Sequence, residues 1–289
     1  MASSCLRSVL VGALSLTVLV MSAACGDEED GAGPGGGLAS SGCGGSASGG
    51  LQQAQTLSVR GETRTYELFV PDGAASALPL VFVFHGSGGT GKDQRASSYN
   101  LEAEAKGKAI FVYPDGMNRQ WDLDRKADDN ADIQFFDALV ESISSKLCVD
   151  RARIFATGYS MGAYFTNQLG CRRGNVLRAI AAHAGGGPFG SDDEYDENGD
   201  LVCPQKAVPA LISHGTSDMT VPLSEGKSSR DGWQKANTCA STTRPYAPSP
   251  CVALDGCARP VVYCEIPGLG HEVWPAGGAA ATWRFFSSF

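Results

Sequence analysis

The chain has 289 residues, 43% hydrophobic and 19% charged, with a formal net charge of −8 at pH 7. That composition supports a sizeable buried core and excludes disorder throughout. The 23 Lys and Arg residues form no cluster, so the electrostatic footprint of a nucleic-acid partner is missing.

Residues 1–24 read as an export signal, with one positive charge at Arg7, a short apolar run at 9–20, and small residues at Ser22, Ala23 and Ala24 that suit cleavage. The run is too short to span a bilayer comfortably. Residues 25–50 are rich in Gly and Ser and read as a flexible linker. Cys25 follows Ser-Ala-Ala directly, as a lipidated cysteine would, which makes the linker a membrane tether; ordinary cleavage would instead release the protein. Either way the destination is extracellular or the cell envelope. With Cys5 in the signal and Cys25 as a candidate lipid site, eight of the 10 cysteines remain, at 43, 148, 171, 203, 239, 251, 257 and 264. In an oxidising compartment an even set without Cys-x-x-Cys spacing points to disulfides of undetermined connectivity, and neither metal nor cofactor is expected.

Residues 51–289 read as one α/β domain. Residues 57–70 are predicted as two short antiparallel strands turning at Gly61-Glu62. The continuous apolar run 78–84 fits a strand buried on both faces of a parallel sheet. Similar runs follow at 109–113, 153–157, 179–183 and 210–213. Between them, 133–147 carries Ile133, Phe136, Leu139, Val140, Ile143 and Leu147 on one helical face. Strands alternating with helices imply a mostly parallel sheet covered on both sides.

After the 153–157 strand comes Gly158-Tyr159-Ser160-Met161-Gly162, a G-x-S-x-G elbow that places the serine in a tight strand-to-helix turn, with a helix N-terminus aimed at the reaction centre. Ser160 is the candidate nucleophile. Of the four histidines, His85, His183 and His214 each end a strand and read as structural. His271 lies in the Gly-rich loop 268–271 before a final helix and is the candidate base. Asp218, in the loop after the 210–213 strand, is the candidate acid; Asp192, Asp193 and Asp196 compete for the role. The oxyanion donors are expected to be the backbone N–H groups of Met161 and of Ser87, the latter in the loop His85-Gly86-Ser87-Gly88-Gly89. Trp121, Tyr159, Trp233 and Trp274 are candidates for stacking on substrate rings, with core or rim packing as the competing reading.

Six motifs then appear in one order: 79–89, Tyr113-Pro-Asp-Gly116 followed by Trp121, 132–135, 148–162, His214-Gly-Thr-Ser-Asp218, and Gly270-His-Glu-Val-Trp-Pro275. On these the chain from about residue 58 to residue 286 resembles the feruloyl esterase and polyhydroxybutyrate depolymerase group of α/β-hydrolases. The resemblance implies an exported serine ester hydrolase without a large lid domain. Its substrates would be hydroxycinnamic esters of plant cell walls, acetylated polysaccharide or short hydroxyalkanoate esters, and Ser160, Asp218 and His271 would be its triad. Two positions depart from the pattern: Ala163 where many members carry Gly, and Glu272-Val273, which lengthens His-x-Trp-Pro to His-x-x-Trp-Pro. Competing readings are an acetyl xylan esterase-type deacetylase, a serine peptidase, and a non-catalytic carbohydrate-binding or adhesion module on the same scaffold.

Overall fold

The computed structural model describes residues 38–45, 49–73, 76–97, 99–190, 194–197, 202–203 and 206–289. The export segment, Cys25, Asp192 and Asp193 lie outside them.

Two long strands, β1 (Gly50–Val59) and β2 (Glu62–Val70), pair antiparallel around Arg60-Gly61, both at positive φ. The alternating run then gives way to β3 (Leu78–Phe84), whose side chains divide between two cores: Leu80, Phe82 and Phe84 face one, Val81 and Val83 the other. A strand apolar on both faces belongs in the middle of a covered sheet, and β3 sits there, parallel to both β4 (Ile110–Pro114) and β5 (Val149–Tyr159). The parallel set continues through β6 (Ala179–His183), β7 (Ala210–Gly215) and β10 (Val261–Ile266). Two short antiparallel strands, β8 (Thr243–Pro245) and β9 (Val252–Leu254), close the far edge. Among the described residues the sheet order is β1-β2-β4-β3-β5-β6-β7-β10-β9-β8.

A short helix, α1 (Gly91–Arg95), follows β3; one face of the sheet is covered by α3 (Ala131–Lys146), α4 (Met161–Arg172) and α5 (Leu223–Ala236), the other by α2 (Leu101–Ala105) and α6 (Gly278–Phe286). Helix α3 buries the predicted stripe of Ile133, Phe136, Leu139, Val140 and Ile143. It starts where the Asn130 side chain accepts from the N–H groups of Asp132 and Ile133, satisfying two orphan donors of the first turn. Asp132, buried beside them, ion-pairs with Arg64 of β2 at 2.6 Å.

The cysteines pair as Cys43–Cys148, Cys171–Cys203, Cys239–Cys257 and Cys251–Cys264. The last two staple the turns around β8, β9 and β10. The first corrects part of the linker reading: residues 38–45 are tied to the domain. Ser40 donates its N–H to Val149 O and its hydroxyl to Leu147 O, and Ala39 bridges to Asp150. Apolar patterning cannot reveal such an attachment, because polar backbone groups and one disulfide make it. With its cysteines 105 positions apart, the Cys43–Cys148 link constrains the unfolded chain by roughly 4 to 5 kcal/mol in the loop-entropy account.

Candidate active site

The site forms at the carboxyl edge of the parallel strands, where α/β sheets place their ligands. Ser160 follows β5, Asp218 follows β7, His271 follows β10, and the 85–89 loop follows β3. Ser160 has φ 53° and ψ −122°, a strained conformation for a residue with a Cβ. The flanking glycines make it possible. A Cβ on Gly158 would come within 2.8 Å of Thr166 Oγ1, and one on Gly162 within 2.6 Å of His85 O. The Ser160 N–H is tied down by His183 O of β6 at 2.9 Å. Ala163 is accommodated in the same way: it packs against Gly185, where a Cβ would lie 2.6 Å from the Ala163 methyl.

The three predicted side chains meet. His271 Nε2 lies 2.9 Å from Ser160 Oγ, and His271 Nδ1 lies 2.7 Å from Asp218 Oδ2. A carboxylate only accepts, so Nδ1 carries the proton and Nε2 presents a lone pair to the hydroxyl. Asp218 Oδ1 is held by two backbone donors, Thr220 N–H and Val221 N–H, each at 2.9 Å. Burial pushes the Asp218 carboxyl up, but the bonds from His271, Val221 and Thr220 outweigh it and hold the group below the usual range, so it is ionised at neutral pH. Asp196, the described competitor for the acid, is exposed in the 194–197 segment, whereas Asp218 is the carboxylate hydrogen-bonded to His271.

The 85–89 loop lies against the elbow: a Cβ on Gly86 would sit 3.1 Å from the Tyr159 ring and 3.3 Å from Ser160 Cβ. Among the described residues the N–H groups of Ser87 and Met161 make no backbone hydrogen bond, which leaves both available to a developing oxyanion. The Tyr113-Pro-Asp-Gly116 turn supports this loop. Gly116 N–H donates to His85 Nε2 at 3.0 Å, so Nδ1 bears the proton and donates to Gly86 O at 2.7 Å. Gln120, which sequence reasoning passed over, exchanges hydrogen bonds with the Ser87 hydroxyl.

The aromatic candidates divide. Trp121 is corrected from substrate stacking to core: it is 2% exposed, stacked on Phe165 and edge-on to Phe84, and its indole N–H donates to His85 O at 2.8 Å. Trp233 is likewise buried and donates to Asn167 Oδ1. Tyr159 is half-buried with its ring against His271, and its hydroxyl donates to His271 O at 2.7 Å, so it braces that residue. Trp274 is half-buried and packs over Gly277, where any Cβ would collide with the indole. The lengthened His-x-x-Trp-Pro segment turns Val273 into the core and leaves Glu272 exposed. A further pair had no sequence signal beyond its helical spacing from the serine: Tyr164, four residues after Ser160, donates to Glu225 Oε2 at 3.2 Å and stacks on the exposed Phe189.

Behind the elbow, His183 is fully buried with Nε2 facing the hydroxyls of Tyr99 and Thr282, and burial pushes its imidazole down to about 3. Burial also lowers His85. The unfolded chain therefore takes up protons near pH 6.5 that the folded chain refuses. Stability from His183 is fully present above that value, and is lost as pH falls from about 6.5 toward 3, by up to about 1.4 kcal/mol per pH unit for one proton. Urea unfolding across this range is expected to show a midpoint that declines steadily with acidity; a flat midpoint would remove these histidines from the account.

Comparisons with known proteins bear on the family and the fold. The Abhydrolase_2 family profile, Phospholipase/Carboxylesterase, matches residues 67–253. Feruloyl esterase C of Emericella nidulans is 34% identical over 241 residues, covering 77% of this chain and 83% of its own. Feruloyl esterase D of Neurospora crassa is 29% identical over 281 residues, covering 86% and 90%. Among solved structures, the acetyl xylan esterase from Aspergillus awamori superposes with a TM-score of 0.65 at 18% identity, over 83% of this chain and 99% of its own, a likeness of fold.

Proposed function

From the premise that the chain belongs to the phospholipase/carboxylesterase family of α/β-hydrolases and is a carboxylic ester hydrolase, we propose that it is an exported serine esterase working through Ser160, His271 and Asp218. The observation that carries this is the unbroken hydrogen-bond chain from Ser160 Oγ through His271 to Asp218 Oδ2.

His271 Nε2 takes the hydroxyl proton as Ser160 Oγ attacks the ester carbonyl. The oxyanion is met by the N–H groups of Met161 and Ser87, each contributing about 3 to 4 kcal/mol on the scale of such donors. Asp218 keeps the imidazole in the Nδ1–H tautomer and stabilises the imidazolium. His271 then protonates the leaving alcohol. Water, deprotonated by the same imidazole, hydrolyses the acyl-enzyme.

The substrate we assign is a hydroxycinnamic ester of plant cell-wall polysaccharide, supported by the feruloyl esterases of Emericella nidulans and Neurospora crassa among the relatives. Export is supported by four disulfides, which fit an oxidising compartment. In this reading the 1–24 segment is the leader, and attachment through Cys25 is a separable property that release of radiolabelled palmitate would report.

Steady-state kinetics on methyl ferulate, p-nitrophenyl acetate, a hydroxybutyrate oligomer and a peptide amide test the assignment. Methyl ferulate is expected to give the highest kcat/KM of the unactivated substrates, and the amide no turnover. Faster cleavage of the hydroxybutyrate oligomer would move the substrate class, and turnover of the amide alone would overturn the esterase reading.

A further inference from the structure

Asp218 faces two histidines. His271 Nδ1 holds Oδ2 at 2.7 Å, and His214 Nε2 stands 3.4 Å from the same oxygen. His214 is the penultimate residue of β7, four residues before Asp218, with its side chain fully buried. Its Nε2 also lies 2.9 Å from Val221 O, a carbonyl that can only accept. That contact fixes the tautomer: Nε2 bears the proton, and Nδ1 is a bare acceptor. Nδ1 is buried and without a partner.

An unpartnered buried nitrogen costs stability that an aliphatic side chain of similar size would not. The imidazole is therefore a poor choice if its task is only to fill space. Its ring is also closely held, since a Cβ on Gly226 in the first turn of α5 would come within 2.5 Å of it. The Nε2–H edge is thus pinned at one place, between Val221 O and Asp218 Oδ2. Val221 is in turn one of the two residues whose N–H holds Asp218 Oδ1. One N–H closes the turn at its far end while facing the carboxylate that the turn carries.

We propose that His214 is a positioning residue for the triad: its Nε2–H, anchored on Val221 O, fixes the turn of residues 218–221 and presents a second imidazole donor edge to Asp218 Oδ2. This rests on the triad reading. His214 touches neither substrate nor Ser160 and acts through Asp218, by limiting the directions in which the carboxylate can meet His271 Nδ1. The other ionisable groups nearby are Tyr159 at the end of β5 and Tyr164 on α4, both electrostatically coupled to Asp218, with Glu225 on α5 paired to Tyr164 and Glu272 beside the base. None of them supplies a donor to Oδ2 among the described residues.

The test exploits the geometry of amides, since Gln places an N–H near the position of imidazole Nε2 and Asn places one near Nδ1. With p-nitrophenyl acetate, His214→Leu and His214→Asn are expected to lower kcat about tenfold with KM within about twofold, whereas His214→Gln stays within about threefold of wild type, an effect of the size that contacting residues show. In an Asp218→Asn background the His214→Leu loss should shrink to under about twofold, because the group it acts through is already disabled. A tenfold loss that persists in that background, or a Gln variant as impaired as Leu, overturns the proposal. If the Leu variant does not fold, the contrast between Gln and Asn decides. An active Ser160→Ala enzyme would instead defeat the triad reading; an inactive Ser160→Ala together with a fully active His214→Leu defeats this inference alone.

Discussion

Ser160→Ala is expected to lower kcat by about 10⁶-fold while KM for a soluble ester changes little, as happens when one member of a catalytic set that acts as a unit is removed. The alanine keeps the backbone of the elbow, whose N–H bond to His183 O needs no side chain. It also leaves the Met161 and Ser87 N–H groups where they are. What disappears is the atom 2.9 Å from His271 Nε2. The remaining rate, roughly 10³ to 10⁴ above that in water, would come from binding and the oxyanion donors. Initial rates measured with inhibitor-titrated wild type as reference check the figure, and a variant retaining even a hundredth of wild-type kcat would mean another group attacks the ester.

Asp218→Asn is expected to cost about 10⁴-fold in kcat at neutral pH with the fold intact, the scale of wrong-tautomer variants. The structure dictates why. An amide at 218 has one acceptor and one donor end, and the N–H groups of Thr220 and Val221 claim the acceptor. The NH₂ then occupies the place of Oδ2 and points at His271 Nδ1. To receive it, the imidazole must shift its proton to Nε2, which aims N–H rather than a lone pair at Ser160 Oγ. The base is present but reversed. Asp218→Ala removes the donor as well as the acceptor, leaves His271 free in either tautomer, and should be less impaired than Asn at the same pH. Comparing kcat for the two variants checks this; an Asn variant faster than Ala would contradict the tautomer argument.

Much of the fold was legible because buried parallel strands announce themselves as continuous apolar runs. The spans predicted at 78–84 and 179–183 coincide with β3 and β6, and the helical stripe on 133–147 matches α3 to within two residues at its start. Strand β5 was read four residues short at its start because Asp150 and Arg151 interrupt the apolar pattern where the strand meets solvent and residues 38–45. The strand carrying the His271 loop, β10, was missed. Its Val261-Val-Tyr-Cys sequence has strand character, in a segment where four cysteines between 239 and 264 make two disulfides.

Within the site, Ser160, His271 and Asp218 could be singled out as candidates because few residue types can do such chemistry and the G-x-S-x-G turn fixes one of them in space, and the fold brings the three side chains together. The supporting residues could not. Trp121 looks the same in sequence whether it stacks on a ligand or on Phe165, and only its burial separates the two. Gln120, Tyr164 and Glu225 are ordinary polar residues whose partners depend on how the 116–121 segment meets the 85–89 loop and how α4 packs beside α5. His214 was read as structural from its place at a strand end, and its approach to Asp218 depends on the path of the 216–221 turn.

The most direct measurement of the central claim is peptide mapping after reaction with a fluorophosphonate. If the Ser160 hydroxyl is activated by His271, the phosphonyl mass appears on the Ser160 peptide alone, and His271→Ala slows labelling by about 10² to 10⁴-fold, the contribution of a positioned general base. An adduct on a different serine, or labelling of Ser160 at an unchanged rate without the imidazole, would contradict the account.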